Sequence, residues 1–206
     1  MTNNLYGSRL AGGNSSTFRE KNDYYATDPK DTSNFLNKYL SDNNYFKPSK
    51  ILEPAAGEGH ITKVLKKFFP DSEIVSVDLI DRGVSDIFGN IDFINSKDSR
   101  VNQSYDLIIT NPPFKIMKEF IDKALTLSKH VMMFGKLVFL EGVKRTDWFE
   151  KGCLKNVYVY SYRANPWKNG EPKDPNGNKW SSTMAFAWFE FELGYKGKPQ
   201  INFITK

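Results

Sequence analysis

The chain has little cysteine and no long apolar run, and both absences restrict its class. It has 206 residues and a single cysteine, Cys153, which excludes an intramolecular disulfide and a cysteine-based zinc site. No apolar run reaches the roughly 20 residues needed to span a membrane, and no signal-peptide pattern opens the sequence. We therefore expect a cytoplasmic protein that does not enter the membrane.

Histidine is also scarce, and the charge balance is mildly basic. His60 and His130 are the only histidines and lie far apart in sequence, so we interpret both as structural and expect no metal site. Lysine and arginine total 29 against 24 acidic residues, a formal net charge of +5. This excess permits a nucleic-acid partner but does not prove one. The aromatic share of 15% fits a tightly packed sheet or a surface that stacks on rings.

Apolar strands and helical patterns alternate through most of the chain. We expect a flexible polar tail over 1–23 and a single domain over 24–206. The predicted strands are 51–53, 73–78, 91–94, 107–110, 131–134, 157–162 and 185–193, and the predicted helices are 61–69 and 116–127. This alternation predicts an α/β fold with a doubly wound, mostly parallel sheet. The last two strands have no helix between them, which favours an antiparallel hairpin at one end.

A long loop over 164–182 separates those last two strands. Loops of this length inside a compact domain are usually functional or disordered. Trp167 and Trp180 stand in it among several lysines. They suit a surface that stacks on bases and contacts phosphates, and they equally suit a small apolar cluster beneath the loop.

A turn over 53–59 connects the first predicted strand to the first helix. Gly57 and Gly59 let a ligand approach the backbone, and Asp78 follows Gly57 by 21 residues, the spacing typical of an acid that binds ribose hydroxyls. The third glycine of a dinucleotide fingerprint is missing, and Glu53 would repel phosphate. The pattern therefore favours a smaller nucleoside that is neutral or carries an ammonium or sulfonium, unless Glu53 and Asp78 are only surface charges at strand ends.

Asn111-Pro112-Pro113-Phe114 directly follows the apolar run that ends at Thr110. Each proline lacks an N–H, fixes its own φ and restricts the residue before it. The result is a stiff corner that holds an amide, a backbone carbonyl and an aromatic ring, and this combination suits the binding of a planar amine. The alternative is a simple strand stop before a helix that starts at Lys115.

These elements together resemble the S-adenosylmethionine-dependent N6-adenine DNA methyltransferases, especially small phage-type ones, over roughly residues 24 to 195. The resemblance implies a class I, Rossmann-like methyltransferase fold with S-adenosylmethionine as cofactor. By resemblance, the cofactor-binding residues are Tyr25, Thr27, Glu53, Pro54, Ala55, Gly57, Gly59, Asp78 (ribose) and Asp98 (adenine), and the catalytic residues are Asn111, Pro112, Pro113 and Phe114. Asp28 stands between Thr27 and Pro29, where the family has Thr-Pro.

The resemblance also implies a substrate and a mechanism. Asn111 and the Pro112 carbonyl would accept the two N–H bonds of an adenine amine, and Phe114 would stack on a base that is flipped out of DNA or single-stranded. RNA adenine and protein glutamine remain alternatives, because the same corner grips any planar amine, although glutamine enzymes usually carry tyrosine where Phe114 stands. A non-catalytic nucleic-acid-binding or anti-restriction module is a third possibility. The implied setting is a bacterial or phage-infected cell, with the protein a monomer or weak dimer.

Overall fold

The computed structural model describes residues 24–206, so the predicted tail over 1–23 lies outside the described residues. The strands are β1 (Tyr25–Ala26), β2 (Lys50–Glu53), β3 (Glu73–Ser76), β4 (Tyr105–Thr110), β5 (Ser128–Lys136), β6 (Leu154–Tyr160), β7 (Trp167–Lys168), β8 (Phe186–Glu192) and β9 (Gln200–Ile204). The α-helices are α1 (Pro29–Asp42), α2 (His60–Phe68), α3 (Met117–Leu125) and α4 (Val143–Lys151). Short 3-10 turns cover Ser99–Val101, Phe114–Ile116 and Leu137–Leu140.

The main sheet has the strand order β3-β2-β4-β5-β8-β6-β9. Strands β3, β2, β4 and β5 run parallel, and β8 is antiparallel to both β5 and β6. Helices α1 and α2 pack against one face of the sheet, and α3 and α4 pack against the other. The predicted α/β fold and its antiparallel pair are confirmed, while β9 adds an edge strand beyond the pair, parallel to β6.

The predicted strand over 91–94 is wrong. Ile91 and Phe93 are buried as the apolar pattern requires, but the chain turns here instead of extending. The Asp92 carboxylate accepts hydrogen bonds from the backbone N–H groups of Ile94 and Asn95, at 2.9 and 3.2 Å. Aspartate commonly closes such turns, because its short side chain competes with a strand ladder for backbone donors.

The start of helix α1 accounts for Asp28, the residue that stands between Thr27 and Pro29. Asp28 is the N-cap of this helix, its side chain accepts the backbone N–H of Lys30 at 2.8 Å, and Pro29 occupies the first turn. Both choices are typical of a helix start. Asp28 therefore anchors α1 directly behind the segment that carries Tyr25 and Thr27.

A buried aromatic stack fastens α1 to the sheet. The rings of Phe35 and Trp188 lie 4.5 Å apart and nearly parallel. The indole N–H of Trp188 donates to the Tyr160 hydroxyl at 2.8 Å, which in turn donates to the Asp31 carbonyl at 2.9 Å.

No helix between residues 24 and 206 is long and apolar enough to cross a bilayer.

Removing the Tyr160 hydroxyl tests this chain of hydrogen bonds. Tyr160→Phe leaves the buried indole N–H of Trp188 without a partner and removes one hydrogen bond to the Asp31 carbonyl, so the free energy of unfolding should fall by about 1–3 kcal/mol. Denaturant titration measures the change. Tyr195→Phe, which removes a hydroxyl at an exposed position, should stay within about 0.5 kcal/mol of the wild type. Equal effects of the two changes would contradict the assignment.

Candidate active site

The turn that connects β2 to α2 is built around a hydrogen bond to Asp78. Gly57 and Gly59 adopt positive φ angles of 56° and 76°, which glycine tolerates without strain. The Gly57 N–H donates to Asp78 Oδ2 at 2.7 Å, and the Ile80 N–H donates to Asp78 Oδ1 at 2.8 Å. Each carboxylate oxygen keeps a further lone pair. Asp78 therefore fixes the turn and can still accept hydrogen bonds from a ligand.

The space above Gly57 is filled by the ring of Tyr24. A Cβ atom at position 57 would lie only 2.2 Å from a ring carbon of Tyr24. The Tyr24 hydroxyl accepts the Glu58 backbone N–H at 3.0 Å and lies 3.1 Å from His60 Nδ1. Burial raises the pKa of Tyr24 to about 12, so the phenol is neutral at physiological pH. Tyr24 is not among the cofactor-binding residues that the resemblance predicts, although its neighbour Tyr25 is.

Glu53 lies beneath the turn, away from its surface. Its side chain is only 1% exposed and accepts a hydrogen bond from the Thr62 hydroxyl, which also contacts the Ser76 hydroxyl at 2.7 Å. Burial raises the pKa of Glu53 to about 8, although hydrogen bonds from Thr62 oppose the shift. Glu53 thus fastens β2 to the first turn of α2, and it is largely protonated at neutral pH in this structure.

The side chain of Asn111 is oriented by the N-terminal strand. Its Nδ2 donates to the Tyr25 carbonyl at 2.7 Å. Only the nitrogen end of an amide can face a carbonyl, so this contact assigns the side-chain orientation. Since the two ends of a planar amide point in different directions, Oδ1 is directed away from Tyr25 as an acceptor. Pro112 is buried and Pro113 exposed, so the corner is held on one side and open on the other.

A two-stranded sheet holds the Tyr25 carbonyl in place. Strand β1 pairs with β7 through Tyr25 opposite Lys168 and Ala26 opposite Trp167. The Asn169 N–H also donates to the Tyr24 carbonyl at 2.8 Å. The start of the 164–182 loop is therefore linked to both the glycine turn and the Asn111 corner.

Thr27 lies two residues beyond Tyr25 and is almost fully buried. Its Oγ1 has no hydrogen-bond partner among the described residues. A buried hydroxyl without a partner is costly unless something supplies one. This atom is the kind of group that a bound polar ligand satisfies.

Phe114 forms one wall of an open cleft of about 440 Å³. The Lys136 ammonium lies 5.4 Å above its ring, and the Phe186 ring is 6.2 Å away. The opposite wall comes from the segment after β5, including Phe139 and Arg145. The half-buried Phe114 ring is therefore partly exposed to this cleft.

Asp98, the residue predicted to bind the cofactor's adenine, is paired with Arg100. Both of its carboxylate oxygens accept hydrogen bonds from the Arg100 side chain, at 2.7 and 2.8 Å. These bonds to Arg100 lower the pKa of Asp98 to about 2. Asp92 follows Ile91, whose backbone N–H donates to the Asp78 carbonyl at 3.0 Å. Its sequence signal was hidden by the assignment of 91–94 to a strand.

The tryptophans of the 164–182 loop are both half-buried. Trp167 packs edge-on against His60 at 5.5 Å, and the Trp180 indole N–H donates to the Glu171 carbonyl at 2.6 Å. Lys173 and Lys179 form an antiparallel bridge and are exposed. The tryptophans thus stabilise the loop, and Lys173 and Lys179 face solvent.

Over residues 24–206, no cluster of His, Cys, Asp and Glu is arranged to hold a metal ion.

The buried Glu53 gives stability a testable pH dependence. The folded-state pKa of Glu53 is near 8, above its ordinary value of 4.5. The contribution of Glu53 to stability is therefore fully present below pH 4.5 and is lost progressively as pH rises through 8. Between pH 5 and 7 the wild type should lose about 1–3 kcal/mol relative to Glu53→Gln, which stays neutral. Denaturant titrations across this range measure the difference. A difference between wild type and Glu53→Gln that stays constant with pH would contradict this role of Glu53. So would the same pH-dependent difference between wild type and the exposed control Glu119→Gln.

Comparison with known proteins gives relatives for part of the chain. No protein-family model matches it. It is 30% identical over 129 residues to a malonyl-[acyl-carrier protein] O-methyltransferase of Priestia megaterium, a match covering 57% of this chain and 45% of that protein. The enzyme of the same name from Bacillus cereus is 29% identical over 99 residues, covering 44% and 36%. The chain thus spans less than half the length of these curated relatives.

Solved structures match nearly the whole chain. A methyltransferase subunit of a type I restriction-modification system from Streptococcus thermophilus superimposes with a TM-score of 0.61 at 11% identity, covering 90% of this chain and 48% of that one. A candidate RNA methyltransferase from Pyrococcus horikoshii gives 0.59 at 14% identity, covering 89% and 96%. A protein from Listeria monocytogenes, described as class I and S-adenosylmethionine-dependent, gives 0.56 at 13%, covering 92% and 68%. The chain therefore has the class I methyltransferase fold, and S-adenosylmethionine is its expected cofactor.

Proposed function

We propose that this chain transfers a methyl group from S-adenosylmethionine to the N6 amine of adenine in DNA. The observation that carries the proposal is the 2.7 Å hydrogen bond from Asn111 Nδ2 to the Tyr25 carbonyl. It turns Asn111 Oδ1 into a fixed acceptor at the start of the Asn-Pro-Pro-Phe corner. Phe114 stands three residues away as a half-buried aromatic wall.

The chemistry follows from the weakness of the amine. The lone pair of an adenine amine is delocalised into the ring, so the nitrogen is a poor nucleophile. Asn111 Oδ1 and the Pro112 carbonyl accept hydrogen bonds from the two N–H groups of the amine. These bonds favour tetrahedral geometry at the nitrogen, which localises its lone pair. Phe114 holds the ring plane by stacking. Orientation and fixed acceptors supply the rate enhancement, so no side chain needs to become a nucleophile.

The residues on the page fit the expected cofactor. S-adenosylmethionine supplies an electrophilic methyl group on a sulfonium. Asp78 has free lone pairs for ribose hydroxyls, and the partnerless Thr27 hydroxyl is placed for a polar group at the methionine end. A positive charge bound above the turn would favour the charged form of Glu53. Asp98 and Asp92 are the two acids that could accept a hydrogen bond from the cofactor's base, and each carboxylate already accepts hydrogen bonds from neighbouring residues in this structure.

The corner favours an amine over a carboxylate as methyl acceptor. The curated relatives are O-methyltransferases, and a carboxyl substrate is ordinarily held by donors or cations. The groups proposed to hold the acceptor are two oxygens, Asn111 Oδ1 and the Pro112 carbonyl, and these suit the N–H groups of an amine better than a carboxylate. The aromatic Phe114 and the Lys136 ammonium above it instead suit a nucleobase with its nearby phosphate. The structural neighbours include an enzyme subunit of restriction-modification and a candidate RNA methyltransferase, which leaves RNA as the principal alternative.

Substitution of Asn111 tests the amine clamp. Asn111→Ala should lower kcat for methylation of adenine-containing DNA by about 100-fold or more, since a fixed acceptor is lost. Asn111→Asp keeps an acceptor oxygen but cannot donate to the Tyr25 carbonyl, so it should be similarly impaired. The Kd for S-adenosylmethionine should change little in either variant, and Asn202→Ala, on the distant strand β9, should behave like the wild type. Full activity in Asn111→Ala would contradict the clamp.

A competition experiment separates DNA from the other acceptors. The wild type is incubated with labelled cofactor and equal amounts of adenine-containing DNA, RNA and a glutamine-containing peptide, and label should appear in DNA at the N6 position. Label mainly in RNA or peptide would replace the proposed substrate. If nothing is labelled and S-adenosylmethionine does not raise Tm, a non-catalytic module is favoured, because a bound ligand stabilises the folded state by mass action.

A further inference from the structure

The segment that links β5 to α4, together with the first residue of α4, exposes apolar side chains near the cleft that Phe114 lines. Val143 is 91% exposed, the highest value among the large apolar residues described, and Val138 and Leu140 are exposed nearby. Most exposed apolar residues occur singly and need no explanation, whereas a cluster next to a functional cleft marks a contact surface.

Backbone geometry directs Val143 into solvent. Gly142 adopts a φ of 120°, which favours glycine, and a Cβ there would meet the Arg145 guanidinium at 3.1 Å. Arg145 in turn donates from Nε to the Phe139 carbonyl at 3.0 Å. The turn before α4 is therefore well defined, and it places a β-branched side chain at the tip.

The same cleft joins this segment to the clamp. Its walls include Phe114 and Met117 on one side and Val138, Phe139 and Gly142 on the other. Strand β5 lies next to β4 in parallel register, with Thr110 opposite Met133. Both strands therefore deliver their following residues to the same edge of the sheet.

The charge of the cleft fits a polyanion. Lys136 lies over the Phe114 ring, and Arg145 lies over the Phe139 ring at 5.3 Å. The Glu141 carboxylate also lines the cleft, so Lys136 and Arg145 leave its lining with an excess of one positive charge. Cations that flank apolar groups are typical of proteins that hold phosphates while an apolar side chain enters a base stack.

We propose that Val143 is a wedge that enters duplex DNA and fills the gap left when the target adenine is flipped out. This inference rests on the proposed function and adds how a duplex substrate is opened. A base must leave the stack before Asn111 can reach its amine, and unstacking costs free energy that an inserted apolar side chain offsets. Single-stranded DNA needs no such help.

The test compares duplex with single-stranded DNA. Val143→Ser should lower kcat/KM on duplex by about tenfold or more, and leave single-stranded DNA within about twofold of the wild type. Val143→Leu, which keeps an apolar tip, should retain duplex activity. Ile201→Ser is the matched control, because Ile201 is also an aliphatic β-branched residue, 65% exposed on the far edge strand β9.

Each outcome decides the proposal. A duplex defect confined to Val143→Ser supports the wedge. Unchanged duplex activity in Val143→Ser, or a wild type that methylates only single strands, overturns it. An equal loss on both substrates also overturns it, since a wedge acts only on duplex. If no form of DNA is methylated by the wild type, the proposed function itself fails, and this result is distinct from the others.

Discussion

The hydrogen bond between Asn111 and the Tyr25 carbonyl organises this molecule's candidate site. It joins the carboxyl end of a central strand to a two-residue strand at the start of the described chain. That short strand is held in turn by β7, which begins the long loop. An amide that rotated freely would present its donor and its acceptor equally. Fixed by Tyr25, it presents the acceptor, and the proposed amine clamp depends on this orientation.

Strand pairing brings the clamp and the glycine turn together. Strands β2 and β4 are neighbours, with Ile51 opposite Leu107 and Leu52 opposite Ile108, so their carboxyl ends emerge side by side. The Thr110 hydroxyl reaches the Ala55 carbonyl across this edge, at 3.5 Å. Tyr24 and Tyr25 cover the turn and the corner respectively. One short peptide segment thus contacts both the proposed nucleoside site and the proposed amine site.

Much of this could be predicted from the sequence, because buried parallel strands appear as apolar runs. The strands that became β2 to β6 and β8 were predicted in this way, as were α2 and α3. The pattern failed at 91–94, where Asp92 closes a turn, and it missed α1 despite the Asp28-Pro29 start signal. It also could not find β1 and β7, since two-residue strands exist only through their partner. The motif residues were found, but the burial of Glu53 depends on tertiary contacts that no local pattern carries. The pairing of Asp98 with Arg100, two residues later, is a local contact that the resemblance did not include.

The strand order also determines when the fold can be completed during synthesis. Strand β8 lies in the middle of the sheet, between β5 and β6, yet it is made after both. A nascent chain that ends before residue 186 therefore exposes two unpaired edges, which are vulnerable to pairing with another chain. Tyr25 must likewise wait for residues 167–168 before Asn111 gains an immobilised partner. The proposed clamp can therefore form only after the C-terminal part of the chain has been synthesised. A truncated product would contain the Asn-Pro-Pro-Phe motif, but its Asn111 would lack an immobilised partner.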